Sequence, residues 1–127
     1  MSNQPPVVVP DLSEFERALA NVRQVAIETP VLHSHFLSEL VGQEVWLKCE
    51  NLQRTGAYKV RGAFNRMSKL TKEEKKKGVI AASAGNHAQG VALAAKKLGI
   101  KATVYMPFGA SLPKVAATRN YGCLLYT

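Results

Sequence analysis

The stretch that most constrains the fold is residues 79–126. Val79-Ile80-Ala81-Ala82 is an apolar run without alternation, the pattern of a strand buried on both faces of a sheet. A loop of small residues leads into a helix from about His87 to Leu98, and Gly99 supplies its stop. Ala102 to Met106 reads as the next strand and Pro107-Phe108-Gly109 as a turn. Ser111 can cap a further helix with Pro113 in its first turn, where proline is tolerated. Gly122 ends that helix, and Cys123-Leu124-Leu125-Tyr126 starts a third strand. Strand, helix, strand, helix, strand is the order of an α/β fold with a parallel sheet and right-handed crossovers. Two and a half parallel strands leave apolar faces and edges uncovered. The chain is therefore expected to be cut short, or completed by something else.

The preceding residues read as supports for this unit. Three prolines in the first ten residues discourage helix, so residues 1–10 are expected to form an extended or disordered arm. Ser13 and Glu16 have capping-box spacing, and Phe15, Leu19, Val22 and Ala26 then recur on one helix face. A short helix runs from about Ser34 to Val41, with Gly42 as its stop. Val45, Leu47 and Cys49 alternate with Trp46 and Lys48, which reads as a strand with Cys49 buried in it. Asn51 to Ala57 has loop chemistry. A helix follows from about Tyr58 to Leu70, with Val60, Ala63, Phe64 and Met67 on its inner side. Thr71 and Glu74 repeat the capping-box spacing at the start of a lysine-rich helix that Gly78 closes.

The net charge of +8 raises the question of a nucleic-acid surface. The lysines, however, concentrate between Lys72 and Lys77, broken by Glu73 and Glu74, with no interleaved aromatics. That is a solvated helix face, and neither nucleic acid nor a membrane is expected as a partner. No apolar run approaches the ~18 residues of a spanning helix. Met1-Ser2-Asn3-Gln4-Pro5-Pro6 lacks the basic start and apolar core of a secretory signal, so a cytoplasmic protein is expected. Cys49 and Cys123 fit neither a metal spacing nor a disulfide framework and read as reduced thiols. His33 and His35 flank Ser34 without an evident third ligand, so no metal site is expected. Arg54 reads as a surface or ion-pair residue.

Two segments carry candidate chemistry. In the first, running from Lys48 to Ala63, Lys59 sits at a loop-to-helix junction beside Tyr58 and between Gly56 and Gly62. A positive helix end and Arg61 close by favour an uncharged amine, the nucleophilic form that carbonyl chemistry needs. On composition alone, one lysine among 17 basic residues is a surface residue. The second is Ser83-Ala84-Gly85-Asn86-His87-Ala88-Gln89-Gly90. It joins the carboxyl end of a strand to a helix, where open parallel sheets bind ligands and where free N–H groups and the helix dipole favour anions. The plainer reading is a capped turn with Asn86 as N-cap and no ligand.

Read together, these segments resemble the serine/threonine dehydratase family of pyridoxal-phosphate (PLP) enzymes, whose fold type is shared with tryptophan synthase β chains and cysteine synthases. The resemblance runs from about Pro30 to Gly122 and includes Met106-Pro107 and Lys114-Val115. It is most similar to the biodegradative threonine dehydratases, through Glu50-Asn51-Leu52-Gln53-Arg54-Thr55-Gly56 and Arg61-Gly62-Ala63-Phe64-Asn65. It implies an α/β chain of PLP fold type II, incomplete: a helical amino-terminal segment plus a partial open three-layer αβα small domain. Residues 1–48 would be the arm and a segment of the larger PLP domain, and residues 49–127 the lysine loop and part of the small domain. Lys59 would hold PLP as a Schiff base and, once freed, take the substrate Cα proton. Asn86 would hydrogen-bond the cofactor ring hydroxyl, and Tyr58 would pack against the cofactor. Ser83, Ala84, Gly85, Asn86 and His87 would line the substrate carboxylate site, mostly through main-chain groups.

The implied reaction is β-elimination of L-threonine or L-serine to a 2-oxo acid and ammonia. Relatives are usually homo-oligomers, and some respond to a nucleotide monophosphate. Three departures stand out. Ala57-Tyr58 replaces the family's Ser-Phe before the lysine. Ala84 stands where serine racemases carry a second acid/base serine, which argues for elimination over racemisation. The family's phosphate-binding loop, its pyridine-nitrogen partner and its metal carboxylates are absent from these 127 residues, and Cys123 to Thr127 departs from the usual strand. The alternatives are a truncated, inactive chain acting only by association, a racemase-like relative, and a basic nucleic-acid binder.

Overall fold

The computed structural model describes residues 9–126. Most of the expected amino-terminal arm, residues 1–8, lies outside them. Helix α1 spans Leu12–Val22, α2 His35–Val41, α3 Lys59–Ser68, α4 Lys72–Lys77, α5 Asn86–Leu98 and α6 Leu112–Asn120. Strands are β1 Val31–His33, β2 Trp46–Lys48, β3 Val79–Ala82, β4 Ala102–Tyr105 and β5 Leu124–Tyr126. A 3-10 turn, Glu50–Leu52, interrupts the expected loop before α3.

The sheet has the expected topology. β3, β4 and β5 lie side by side in that order, all parallel. Ala81 sits opposite Val104, and Val104 opposite Leu125. That face packs under α5 and α6, with Val104 fully buried. The opposite face carries Ile80, Leu124, Tyr105 and Tyr126, and it is open among the described residues: Ile80 is 76% exposed. β3 is thus not buried on both faces, and an unalternating apolar run was insufficient to show it. Helices cover one side only, so two of the three expected layers are present among the described residues.

The core lies between this sheet and two helices. α3 packs along α5 more extensively than any other pair of helices. Val60, Ala63, Phe64 and Met67 form the buried stripe of α3, as their spacing predicts, and meet Val91, Ala94 and Ala95. A second cluster joins Ala88 to Val104 and Met106 beneath the start of α5. The charged helix α4 contributes no buried residue. Its capping box is formed, with the Glu74 N–H donating to Thr71 Oγ1 at 3.2 Å and the Thr71 N–H to Glu74 Oε2 at 2.8 Å. Gly78 then turns at φ +86°, and a Cβ there would lie 2.8 Å from the Lys101 carbonyl oxygen. Only glycine can end α4 and start β3 so close to β4.

Three local expectations need correction, and one strand is new. Asp11, not Ser13, caps α1, because its carboxylate accepts the Glu14 N–H at 3.0 Å and also holds the Ser13 hydroxyl; a charged acceptor suits the positive helix end better. α1 stops at Val22, so Ala26 lies beyond it. Cys49 follows β2 and is half-buried, because among the described residues β2 pairs only with β1 and is exposed throughout. β1, whose residues gave no strand signal, exists through that antiparallel pairing, Val31 opposite Lys48 and His33 opposite Trp46.

Candidate functional site

Lys59 is the first residue of α3. Its side chain is exposed, and its Nζ lies 4.6 Å from the centroid of the Tyr58 ring, a cation–π contact. The loop before it is tied to the amino-terminal segment. Gln53, only 3% exposed, uses its side-chain amide like a strand: Nε2 donates to Ile27 O and Oε1 accepts the Ile27 N–H, both at 2.9 Å. Thr55 is buried, and its hydroxyl donates to Ala57 O.

Arg61, two residues further along α3, is engaged by a carboxylate. Its Nε and Nη2 donate to the two carboxylate oxygens of Glu50 at 2.8 and 2.7 Å. The Thr29 hydroxyl donates to the same carboxylate at 2.6 Å. This bidentate guanidinium, helped by Thr29, holds the Glu50 carboxyl down at about 2, below the ordinary 4.5. Arg61 is correspondingly held in its charged form. Glu50 and Gln53 fell within the sequence motif, but nothing in the sequence marked them as anchors of the Lys59 helix.

The second segment forms the junction between β3 and α5. Ser83 extends the sheet, its N–H donating to Tyr105 O at 3.0 Å, and its hydroxyl accepts the Gly85 N–H at 3.2 Å. Gly85 is the N-cap of α5 and makes no side-chain cap. Asn86 is therefore the first helical residue, not the cap, and its exposed side chain has no hydrogen-bond partner among the described residues. The first-turn N–H groups of Asn86, His87 and Ala88 have no partner inside the helix, as at any helix start. A Cβ at Gly85 would meet only the Lys114 Nζ, at 3.9 Å. Ala84 is half-buried.

Gly90 brings the two segments together. A Cβ there would lie 3.0 Å from the Lys59 carbonyl carbon and 3.1 Å from Val60 N. Gly90 is one turn below Asn86, so the Lys59 backbone lies about 6 Å down the α5 axis from the junction. His87 parts from this group. It lines a groove of about 590 Å³ with Ile80, Ala82, Arg66 and Val91, and Lys59 does not line that groove. Arg54 is exposed and has no ion-pair partner among the described residues. Among them, too, no three His, Cys, Asp or Glu side chains converge on a metal position, and no helix is long and apolar enough to cross a membrane.

Among the described residues, these fit a carbonyl cofactor in two respects: an accessible amine without a carboxylate partner, and a helix start with free N–H groups and an unpartnered amide. Comparison with known proteins agrees. Residues 22–126 match the family model described as pyridoxal-phosphate dependent enzyme. An L-threonine ammonia-lyase of Thermotoga maritima is 52% identical over 116 residues, covering 91% of this chain and 28% of that protein. The structure of maize serine racemase superposes with a TM-score of 0.85 at 39% identity, covering 91% of this chain and 35% of that one. The processed form of threonine deaminase isoform 2 from Solanum lycopersicum superposes with a TM-score of 0.77 at 40% identity, covering 96% and 38%. The chain thus spans about a third of the length of the relatives it matches. Its parallel sheet, its likeness to these structures and the match over residues 22–126 establish that the chain belongs to the pyridoxal-phosphate-dependent enzymes of fold type II.

Proposed function

We propose that the protein carrying this chain is a threonine/serine ammonia-lyase that uses PLP to eliminate water and ammonia, giving a 2-oxo acid. The observation that carries the reading is the close seat of Lys59 against α5, one turn from the Ser83–Asn86 junction. When bound, PLP supplies an electron sink for the substrate Cα. Lys59 provides the amine that holds the cofactor and the base that takes the Cα proton. Tyr58 would flank the cofactor, and Asn86, whose amide is free, would donate to its ring hydroxyl. Main-chain groups of Ser83, Ala84, Gly85 and Asn86 receive the substrate carboxylate at the positive end of α5. His87 has the weakest claim, since its side chain faces the groove beside β3.

Residues 1–48 are assigned to the arm and larger domain, and residues 49–127 to the small domain. Homo-oligomeric assembly, response to a nucleotide monophosphate and a cytoplasmic location belong to the same proposal. The test is to supply PLP and threonine to the purified protein and assay 2-oxobutanoate. Lys59→Ala should abolish both cofactor attachment and product; product formation by Lys59→Ala would refute the assignment. A second reading, serine racemisation, draws support from the likeness to maize serine racemase. Ala84 offers no acid/base group for it, and D-serine released from L-serine at a rate rivalling 2-oxo acid formation would favour it instead.

A further inference from the structure

We propose that Gly90 and Glu50 are positioning residues that seat the first turn of α3 from two sides and so fix where the Lys59 side chain leaves the backbone. The inference rests on Lys59 being the cofactor lysine.

On one side the constraint is steric. A Cβ at Gly90 would fall 3.0–3.1 Å from the Lys59 carbonyl carbon and oxygen and from Val60 N. These are main-chain atoms, so no side chain can swing away to make room. Val60 is fully buried in the same seam, packed in the core cluster with Val91 and Ala94 of α5. A Cβ at Gly90 fits only if the contact between α5 and the Lys59 backbone opens by a few tenths of an ångström. On the other side the constraint is polar. Glu50 holds Arg61 through two hydrogen bonds and Thr29 through a third, at 2.6 to 2.8 Å. Arg61 is two residues from Lys59, in the same helical turn. Glu50 itself lies in the 3-10 turn opening the lysine loop, so loop and helix start are fixed to one carboxylate. Gly62 makes the contrast: it is on α3, and a Cβ there would meet nothing within 4 Å.

Neither residue reaches the site itself. Each acts through the backbone of Lys59, where a shift of a few tenths of an ångström re-aims the side chain that carries the reacting amine.

The test uses the full-length protein and PLP, with borohydride reduction of the cofactor attachment and mass spectrometry of the Lys59 peptide, rates being normalised to folded protein by circular dichroism. Gly90→Ala and Glu50→Gln should each attach PLP to Lys59 about tenfold more slowly than wild type and shift the bound-cofactor absorbance, whereas Gly62→Ala should match wild type. Wild-type attachment rates and absorbance in folded Gly90→Ala would overturn the proposal. If Gly90→Ala does not fold, Glu50→Gln decides, because its partly exposed pair can be lost without unfolding the core; wild-type attachment there overturns the seat. PLP found on a lysine other than Lys59 in the wild type would defeat the cofactor assignment itself, a distinct outcome.

Discussion

Replacing Glu50 with glutamine removes one charge and almost no volume, so it isolates the ion pair. The Glu50 carboxyl is held at about 2, against an ordinary 4.5. At ~1.4 kcal/mol per unit, a shift of that size corresponds to about 3 kcal/mol of native-state preference for the carboxylate. Solvent reaches the open side of the pair, where the Arg61 side chain is 31% exposed, and screening lowers the expected contribution to about 1–2 kcal/mol. Because the folded value lies below the unfolded one, this stability is fully present above pH ~4.5 and is lost as pH falls from there toward 2. Urea unfolding of wild type and Glu50→Gln should therefore differ by about 1–2 kcal/mol at pH 7. The gap should narrow steadily below pH 4.5 and close near pH 2. Equal stability at pH 7, or a gap that persists unchanged to pH 2, would refute the role of the carboxylate. A double-mutant cycle with Arg61→Gln should return most of the loss as coupling between the two residues.

Three other perturbations probe the scaffold by thermal or urea unfolding. Gly78→Ala forces a side chain into φ +86° and against the Lys101 carbonyl, and should cost about 2 kcal/mol or more; a neutral result would mean the α4–β3 turn is looser than described. Thr71→Ala removes one half of the α4 capping box and should cost about 1 kcal/mol. Phe64→Ala, at a position only 2% exposed between α3 and the sheet, should cost about 3–5 kcal/mol; a loss below 1 kcal/mol would show that the seam collapses around the cavity.

The local instructions were legible in the sequence wherever one residue's conformation or one short pattern decides the outcome. Gly42, Gly78 and Gly99 stop helices because they reach positive φ, and Thr71 with Glu74 closes a box within four residues. The 3.6-residue stripe of Val60, Ala63, Phe64 and Met67 named its own buried face. The alternation of strand and helix set the parallel order β3-β4-β5, and the residues around Lys59 and Asn86 set the family resemblance. Tertiary structure decided what depends on partners distant in the chain. Whether Val79–Ala82 is covered on one face or two depends on which helices lie against it. β1 exists because residues 46–48 pair with it, and Arg61 is engaged by Glu50, eleven residues earlier, whose carboxylate Thr29 also holds. Gly90 looked like one more small residue of a ligand loop. Its closeness to the Lys59 backbone arises only when α3 docks on α5, since a missing side chain has meaning only through what occupies its space.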